Sequence, residues 1–247
     1  MRDGLLDRAA KLADIAGEPS LKVTWAATAE EIKADILEHG VDDRGVLRQH
    51  YATDALDAST LLAALFGFLP AEDERLRKSV LAIADDLTED GFVLRYRTAE
   101  TDDGLSGKEG SFLICSFWLV SALVEIGELG RARMLCERLL GYASPLLLYA
   151  EEIDPLTGRH LGNFPQAFTH LALINAVTHV IRAEQRQRAR DLMERLLNVA
   201  SPLGLYAEEF DADTGRHLGN FPQAFSHLAL IEAAGRIIVA ERLEELS

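Results

Sequence analysis

The sequence predicts an all-α protein assembled from helix hairpins, the unit from which α/α toroids and solenoids are built. Three observations predict it. One stretch occurs twice: residues 131–174 and 188–231 align without a gap at a shift of 57, with 35 of 44 positions identical. Each copy reads helix, polar loop, helix. Before the repeats, strongly apolar helical segments alternate with amphipathic ones, as when inner helices face an axis and outer ones face solvent. Near-identity in the loops as well as the helices indicates a recent tandem duplication, because helix-pair packing tolerates many apolar choices and drifts.

The segments justify themselves in order. GLLDRAAKLADIAG places Leu5, Leu6, Ala9, Leu12 and Ile15 on one face of a helix that ends near Gly17 and Pro19. WAATAEEIKADILEHG follows, with Thr24 as its expected cap and Gly40 as its stop. VLRQHY reads as a short extended piece inside a polar excursion. DASTLLAALFGFLP should be a largely buried helix ended by Pro70, and DERLRKSVLAIADDLT an amphipathic one. GFVLRYRT, carrying Arg95 and Arg97, reads as extended, and TAETDDGLSGKEGS as a loop. SFLICSFWLVSALVEIG is apolar nearly all round, hence an inner helix. The first repeat follows, then RAEQRQ as a polar joint, then the second repeat and a C-terminal helix through LALIEAAGRIIVAERLEEL. No low-complexity linker divides the chain, so residues 1–247 are expected to form one unit, with repeats over 131–187 and 188–244.

Composition narrows the function. A net charge of −15 argues against a nucleic-acid partner, which needs clustered Lys and Arg to neutralise phosphates. No apolar run approaches membrane-spanning length, and MRDGLLDRAAK lacks the apolar core of a signal peptide, so a cytoplasmic protein with no membrane partner is expected. Cys115 and Cys136 fall in apolar helical patterns and should be buried thiols. There is no Gly-rich phosphate loop, Cys/His metal pattern or G-x-S-x-G elbow, and no cofactor or metal is expected.

The chemistry concentrates in the repeated loop. Paired acids Glu151–Glu152 and Glu208–Glu209 follow Tyr149 and Tyr206 and precede Phe164 and Phe221. An isolated acid pair is usually a solvated turn; flanking aromatic faces and directional amides are what a sugar cleft uses. Asn163, Gln166, Asn220 and Gln223 could donate to sugar hydroxyls or cap the following helix, with equal claim. His160 and His217 have no second ligand at helical spacing, which favours a structural hydrogen bond, and His170 and His227 fall on helices as packing residues.

EGSFLICSFWLVSAL, VLRYRT and the YAEE-x-D-x-x-TGRHLGNFPQAF unit together resemble the C-terminal half of bacterial glycoside hydrolase family 15 proteins, which are glucoamylase-like, glucodextranase-like or trehalase-like. The resemblance runs from LLDRAAKLA through at least residue 184. It implies a partial (α/α)6 barrel carrying one extra duplicated hairpin, and inverting hydrolysis of an α-linked glucoside by two carboxyl groups. The family's general base maps onto Glu151 in copy one and Glu208 in copy two, with Glu152 and Glu209 tuning or orienting it. Arg95 matches a position that binds substrate hydroxyls, and Glu109 and Phe112 match the lining of the subsites.

Two departures accompany the match. The family's general acid lies in a Trp-Glu motif ahead of the segment where this chain starts, and the β-sandwich domain and first barrel helices are also missing from it. Only one of the two AEE loops can hold the base position. Copy one follows the inner helix directly, as the family order requires, whereas copy two, with Gly204 and Phe210 for Leu147 and Ile153, lies nearer the family pattern. The expected partners are an α-linked glucoside and either a second copy of this chain or a complementing N-terminal chain. The alternative function is a non-catalytic helical scaffold.

Overall fold

The computed structural model describes residues 2–97 and 110–245, with side chains from 4 to 97 and 110 to 240. The described chain is mainly helical, with seven strands of two or three residues. It divides into two units, Met1–Val180 and Ile181–Ser247. No described helix is long and apolar enough to cross a membrane.

In the first unit, α1 (Arg2–Ile15) packs against α2 (Pro19–His39). Pro19 does not merely follow α1; it opens α2, because its missing N–H costs nothing in a first turn. Thr24 is therefore not a cap. It lies inside α2, where its hydroxyl donates to the Ser20 carbonyl at 3.0 Å, the usual outlet for a mid-helix threonine. Gly40 ends α2 as expected, its N–H donating to the Ile36 carbonyl. The hairpin buries alanines, Ala10, Ala13 and Ala29, which let backbones approach closely. The leucine face read from the sequence is not the buried one: Leu5 is 69% and Ile15 84% exposed.

The VLRQHY region is extended locally, Val41 bridging Leu47. DASTLLAALFGFLP is two short pieces, a 3-10 turn Ala58–Leu61 and α3 (Leu62–Leu65), broken at Phe66–Gly67 rather than continuing to Pro70. Helix α4 (Glu74–Asp86) is capped by Asp73, whose carboxylate accepts from the Arg75 N–H at 2.9 Å. The Arg75 guanidinium holds that carboxyl down at about 2. Leu76, Ser79, Val80 and Ile83 form its buried stripe. Strands β1 (Thr88–Glu89) and β2 (Phe92–Val93) make a small antiparallel hairpin.

Strand β3 (Ser111–Phe112) leads into α5 (Leu113–Glu125), the inner helix, which buries Leu113, Cys115, Phe117, Val120 and Leu123. Helix α6 (Leu129–Leu140) packs on it through Ala132, Cys136 and Leu139. Strands β4 (Glu152–Ile153) and β5 (His160–Leu161) follow and pair antiparallel. Helix α7 (Ala167–Asn198) is continuous over 32 residues. The RAEQRQ joint is thus helical, not a break: it holds only good helix formers, with no Gly or Pro to stop propagation. The second unit continues with β6 (Glu209–Asp211), β7 (Arg216–Leu218) and α8 (Ala224–Glu245).

The repeats differ at one turn. Leu147 has φ 59°, and its twin Gly204 has φ 70°. A left-handed leucine costs about 1–2 kcal/mol, and this side chain is 76% exposed, so it recovers little by packing. Leu147→Gly should therefore stabilise the first unit by about 0.5–1 kcal/mol after the added chain entropy of glycine is offset. A urea titration of the two chains measures it.

Candidate functional site

The site is built on a three-stranded sheet of order β3-β4-β5. Ser111 faces Ile153 and Phe112 faces Glu152 across one pairing; Glu152 faces Leu161 and Ile153 faces His160 across the other. Alternation along β4 sends Ile153 into the core, where it is fully buried, and turns Glu152 the opposite way. Glu151 sits just before the strand with its backbone fixed on both sides. Its N–H donates to the Asn163 carbonyl at 2.9 Å, and its carbonyl accepts from the Leu113 N–H at 3.0 Å.

The two acids are held differently. Glu151 Oε2 accepts from Asn163 twice, from Nδ2 at 2.9 Å and from the backbone N–H at 3.2 Å. Among the described residues, Oε1 has no hydrogen-bond donor. Gly162, at φ 69°, runs so close that a Cβ there would stand 2.9 Å from Glu151 Oε2. Glu152 Oε2 instead accepts from the Gly110 N–H at 2.9 Å, tying β4 to the start of β3. One carboxylate is anchored by a single oxygen with the other available, and its neighbour braces the sheet. Asn163 is therefore the residue that fixes the Glu151 carboxylate.

Arg95 and Phe112 come together, the guanidinium lying 4.9 Å from the Phe112 ring and 4.5 Å from the Tyr96 ring. Behind them, Ala58 N–H donates to the Arg95 carbonyl at 2.8 Å, and Asp57 bridges Tyr96. Asp57 accepts from Ser59 N–H at 2.7 Å and from Gln49 Nε2 at 3.2 Å. Burial, with the Asp57 charge adding to it and the Arg95 charge opposing it, pushes the Cys115 thiol up to about 12. Gln49, Asp57 and Tyr96 were not singled out from the sequence. The DALDAS string offered one signal, an Asp followed two residues on by Ser, the pattern of an Asx turn. Glu109 lies outside the described residues.

The histidines are structural. His160 Nε2 bonds the Tyr142 carbonyl at 2.9 Å. His170 Nδ1 bonds the Gln166 carbonyl at 2.7 Å, which leaves Nε2 to accept from the Tyr149 N–H at 3.2 Å and pin loop to helix. Tyr149, 2% exposed, meets Phe117 edge to face and donates to the Leu139 carbonyl at 3.2 Å. No three His, Cys, Asp or Glu side chains among the described residues are grouped as a metal site.

Copy two repeats the local cradle in the second unit. Glu208 Oε2 accepts from Asn220 Nδ2 at 2.9 Å and from its N–H at 3.2 Å, and His217 bonds the Val199 carbonyl at 2.8 Å. The surroundings differ. Glu209 pairs with Leu218 in a two-stranded sheet of β6 and β7 alone. Phe210 is 42% exposed where Ile153 is buried, and Tyr206 is half-buried. Two nearly identical loops thus differ in what covers them.

Comparison with known proteins gives the geometry a family context. The profile of Glycosyl hydrolases family 15 matches residues 2–135, 128–178 and 180–235, so each repeat is matched separately. The trehalase of Mycobacterium tuberculosis (strain ATCC 25618 / H37Rv) is 74% identical over 180 residues, 73% of this chain and 26% of that protein. The trehalase of Mycolicibacterium smegmatis is 73% identical over 180 residues, 73% of this chain and 27% of that protein. The chain spans about a quarter of the length of these curated relatives. Among solved structures, a wild-type glycosidase superposes with a TM-score of 0.61 at 21% identity, covering 72% of this chain and 49% of that one, which supports the fold alone.

Proposed function

We propose that this chain, which belongs to glycosyl hydrolases family 15, is the base-bearing part of an enzyme that hydrolyses trehalose with inversion. The observation that carries the reading is the Glu151 cradle: one carboxylate oxygen fixed by Asn163, the other available, in a chain 74% identical to a trehalase over 180 residues. In single-displacement hydrolysis a base carboxylate takes a proton from water as that water attacks the anomeric carbon, while an acid about 6.5–9.5 Å away protonates the leaving oxygen. Glu151 Oε1 would accept that proton. Glu152 holds β4 in register beside it. Phe112 would offer its ring to a sugar, and Arg95, whose guanidinium carbon lies 4.9 Å from that ring's centre, would donate to hydroxyls. The general acid would come from the part of the relatives that this chain does not match.

The test is glucose release from trehalose, maltose and isomaltose. It would be run on the chain alone and on the chain completed with the unmatched part of the Mycobacterium tuberculosis trehalase. Expected is release from trehalose above the other two sugars in the completed protein. Release from maltose or isomaltose but not trehalose would overturn the substrate, and none from any sugar would overturn the activity.

Gly162→Ala probes the cradle without touching a carboxylate. The new methyl would stand 2.9 Å from Glu151 Oε2 at a backbone φ of 69°, so the carboxylate must move. A displacement near 1 Å lowers kcat by about 10²-fold, with little change in KM, as steady-state kinetics would read.

A second reading, a scaffold that pairs with another chain, is favoured by one observation. On the first half of α7, Phe168, Leu171 and Ile174 lie 57–66% exposed along one face. Solution mass separates the two: a monomer that turns over trehalose rejects the scaffold.

A further inference from the structure

The duplication leaves the molecule with two candidates for one seat. The seat is the edge of β3 together with α5, and copy one fills it with Ala132, Leu139, Tyr149, Ile153, Ala172 and Ala176, all buried. Their counterparts at a shift of 57 are Ala189, Leu196, Tyr206, Phe210, Ala229 and Ala233. Five of the six are identical, and the sixth is still a large apolar side chain. Yet that face is open in copy two: Leu196 is 48% exposed where Leu139 is 0%, and among the described residues β6 pairs with β7 alone. Copy one itself identifies what covers such a face, a strand like Ser111–Phe112 followed by an apolar helix.

We infer that copy two is an alternative occupant of that seat. In a minor state of the chain, residues 188–237 dock on β3 and α5 in place of residues 131–180, and Ser111 faces Phe210 instead of Ile153. The exchange needs no other molecule. Glu208, with its Asn220 cradle already formed, then stands where Glu151 stood; that consequence rests on the function proposed above, whereas the docking does not.

Three differences set the balance. Closing the chain from 111 to 210 rather than to 153 disfavours copy two by about fourfold. Placing Phe where Ile153 is fully buried disfavours it by roughly fiftyfold. Gly204 at the left-handed turn returns part of that factor, since Leu147 is strained there. Copy two is seated in on the order of one chain in a hundred. Exchange requires copy one to leave the core, so it is a slow sub-global opening.

Cysteine trapping in the whole chain tests the inference without reference to activity. In a Cys115→Ala, Cys136→Ala background, Ser111→Cys with Phe210→Cys places thiols at positions that would face each other across the exchanged pairing, within disulfide reach. Ser111→Cys with Ile153→Cys sets the maximal rate, and Ser111→Cys with Thr214→Cys reports random collision with the exposed β6–β7 turn. Circular dichroism before oxidation shows that all three chains are folded. Expected during refolding and long incubation in oxidised glutathione is a 111–210 link within single chains, slower than 111–153 but at least tenfold faster than 111–214. Equal rates for 210 and 214, absence of the 111–210 link, or a 111–210 link found only between two chains would each overturn the exchange.

Discussion

Glu151→Gln in the completed chain is expected to lower glucose release from trehalose by about 10²-fold, within the range for removal of a positioned proton acceptor. Glu208→Gln is expected to leave release within twofold. The substituted amide keeps the shape of the carboxylate and can still take one bond from Asn163, so the cradle survives while the proton acceptor is lost. The asymmetry between the two substitutions follows from their surroundings. Glu151 stands beside β3, whose Phe112 ring lies under the Arg95 guanidinium, whereas Glu208 precedes a hairpin that pairs only with itself among the described residues. Whatever release survives Glu151→Gln should fall further in the Glu151→Gln, Glu208→Gln double variant, because a seated copy two is its source. Equal losses from the two single substitutions would sink the assignment of the base to copy one.

The largest effect on stability is expected at Tyr149. Tyr149→Ala removes a ring 2% exposed, its edge-to-face contact with Phe117 and its hydroxyl bond to the Leu139 carbonyl. Truncating a buried aromatic costs about 3–5 kcal/mol. Tyr206→Ala, at the matching residue of copy two, should cost about 1 kcal/mol or less, since that ring is half-buried and its hydroxyl bond to the Leu196 carbonyl is exposed to water. Chemical denaturation of the two variants reads the difference, and equal losses would show that copy two is packed as firmly as copy one.

How far the sequence could be read is visible in particular residues. Phe117 and Leu123 are buried on α5 because that segment is apolar on every side, a property of composition that neighbours cannot reverse. The Leu76, Val80, Ile83 stripe of α4 follows likewise from spacing. Thr24 and RAEQRQ depart from the sequence expectation for a common reason. Capping letters and polar runs suggest boundaries, but Pro19 and a string of helix formers favour continuing the helix. The exposed leucines of α1 mark a different gap, since periodicity names an apolar face without naming its partner.

The sequence by itself determined the helical class, the family, the duplication and the pair of acids on each loop. It could not separate Glu151 from Glu208, because 35 of 44 residues in the two copies are the same and every local bond of the cradle recurs in both. Tertiary structure decided that copy one pairs with β3, while the strands of copy two pair with each other among the described residues. The reason is physical: a hairpin's own hydrogen bonds are local and travel with its sequence. Burial of Ile153 and Tyr149 and the approach of Phe112 depend on partners about 30 to 40 positions away in the chain.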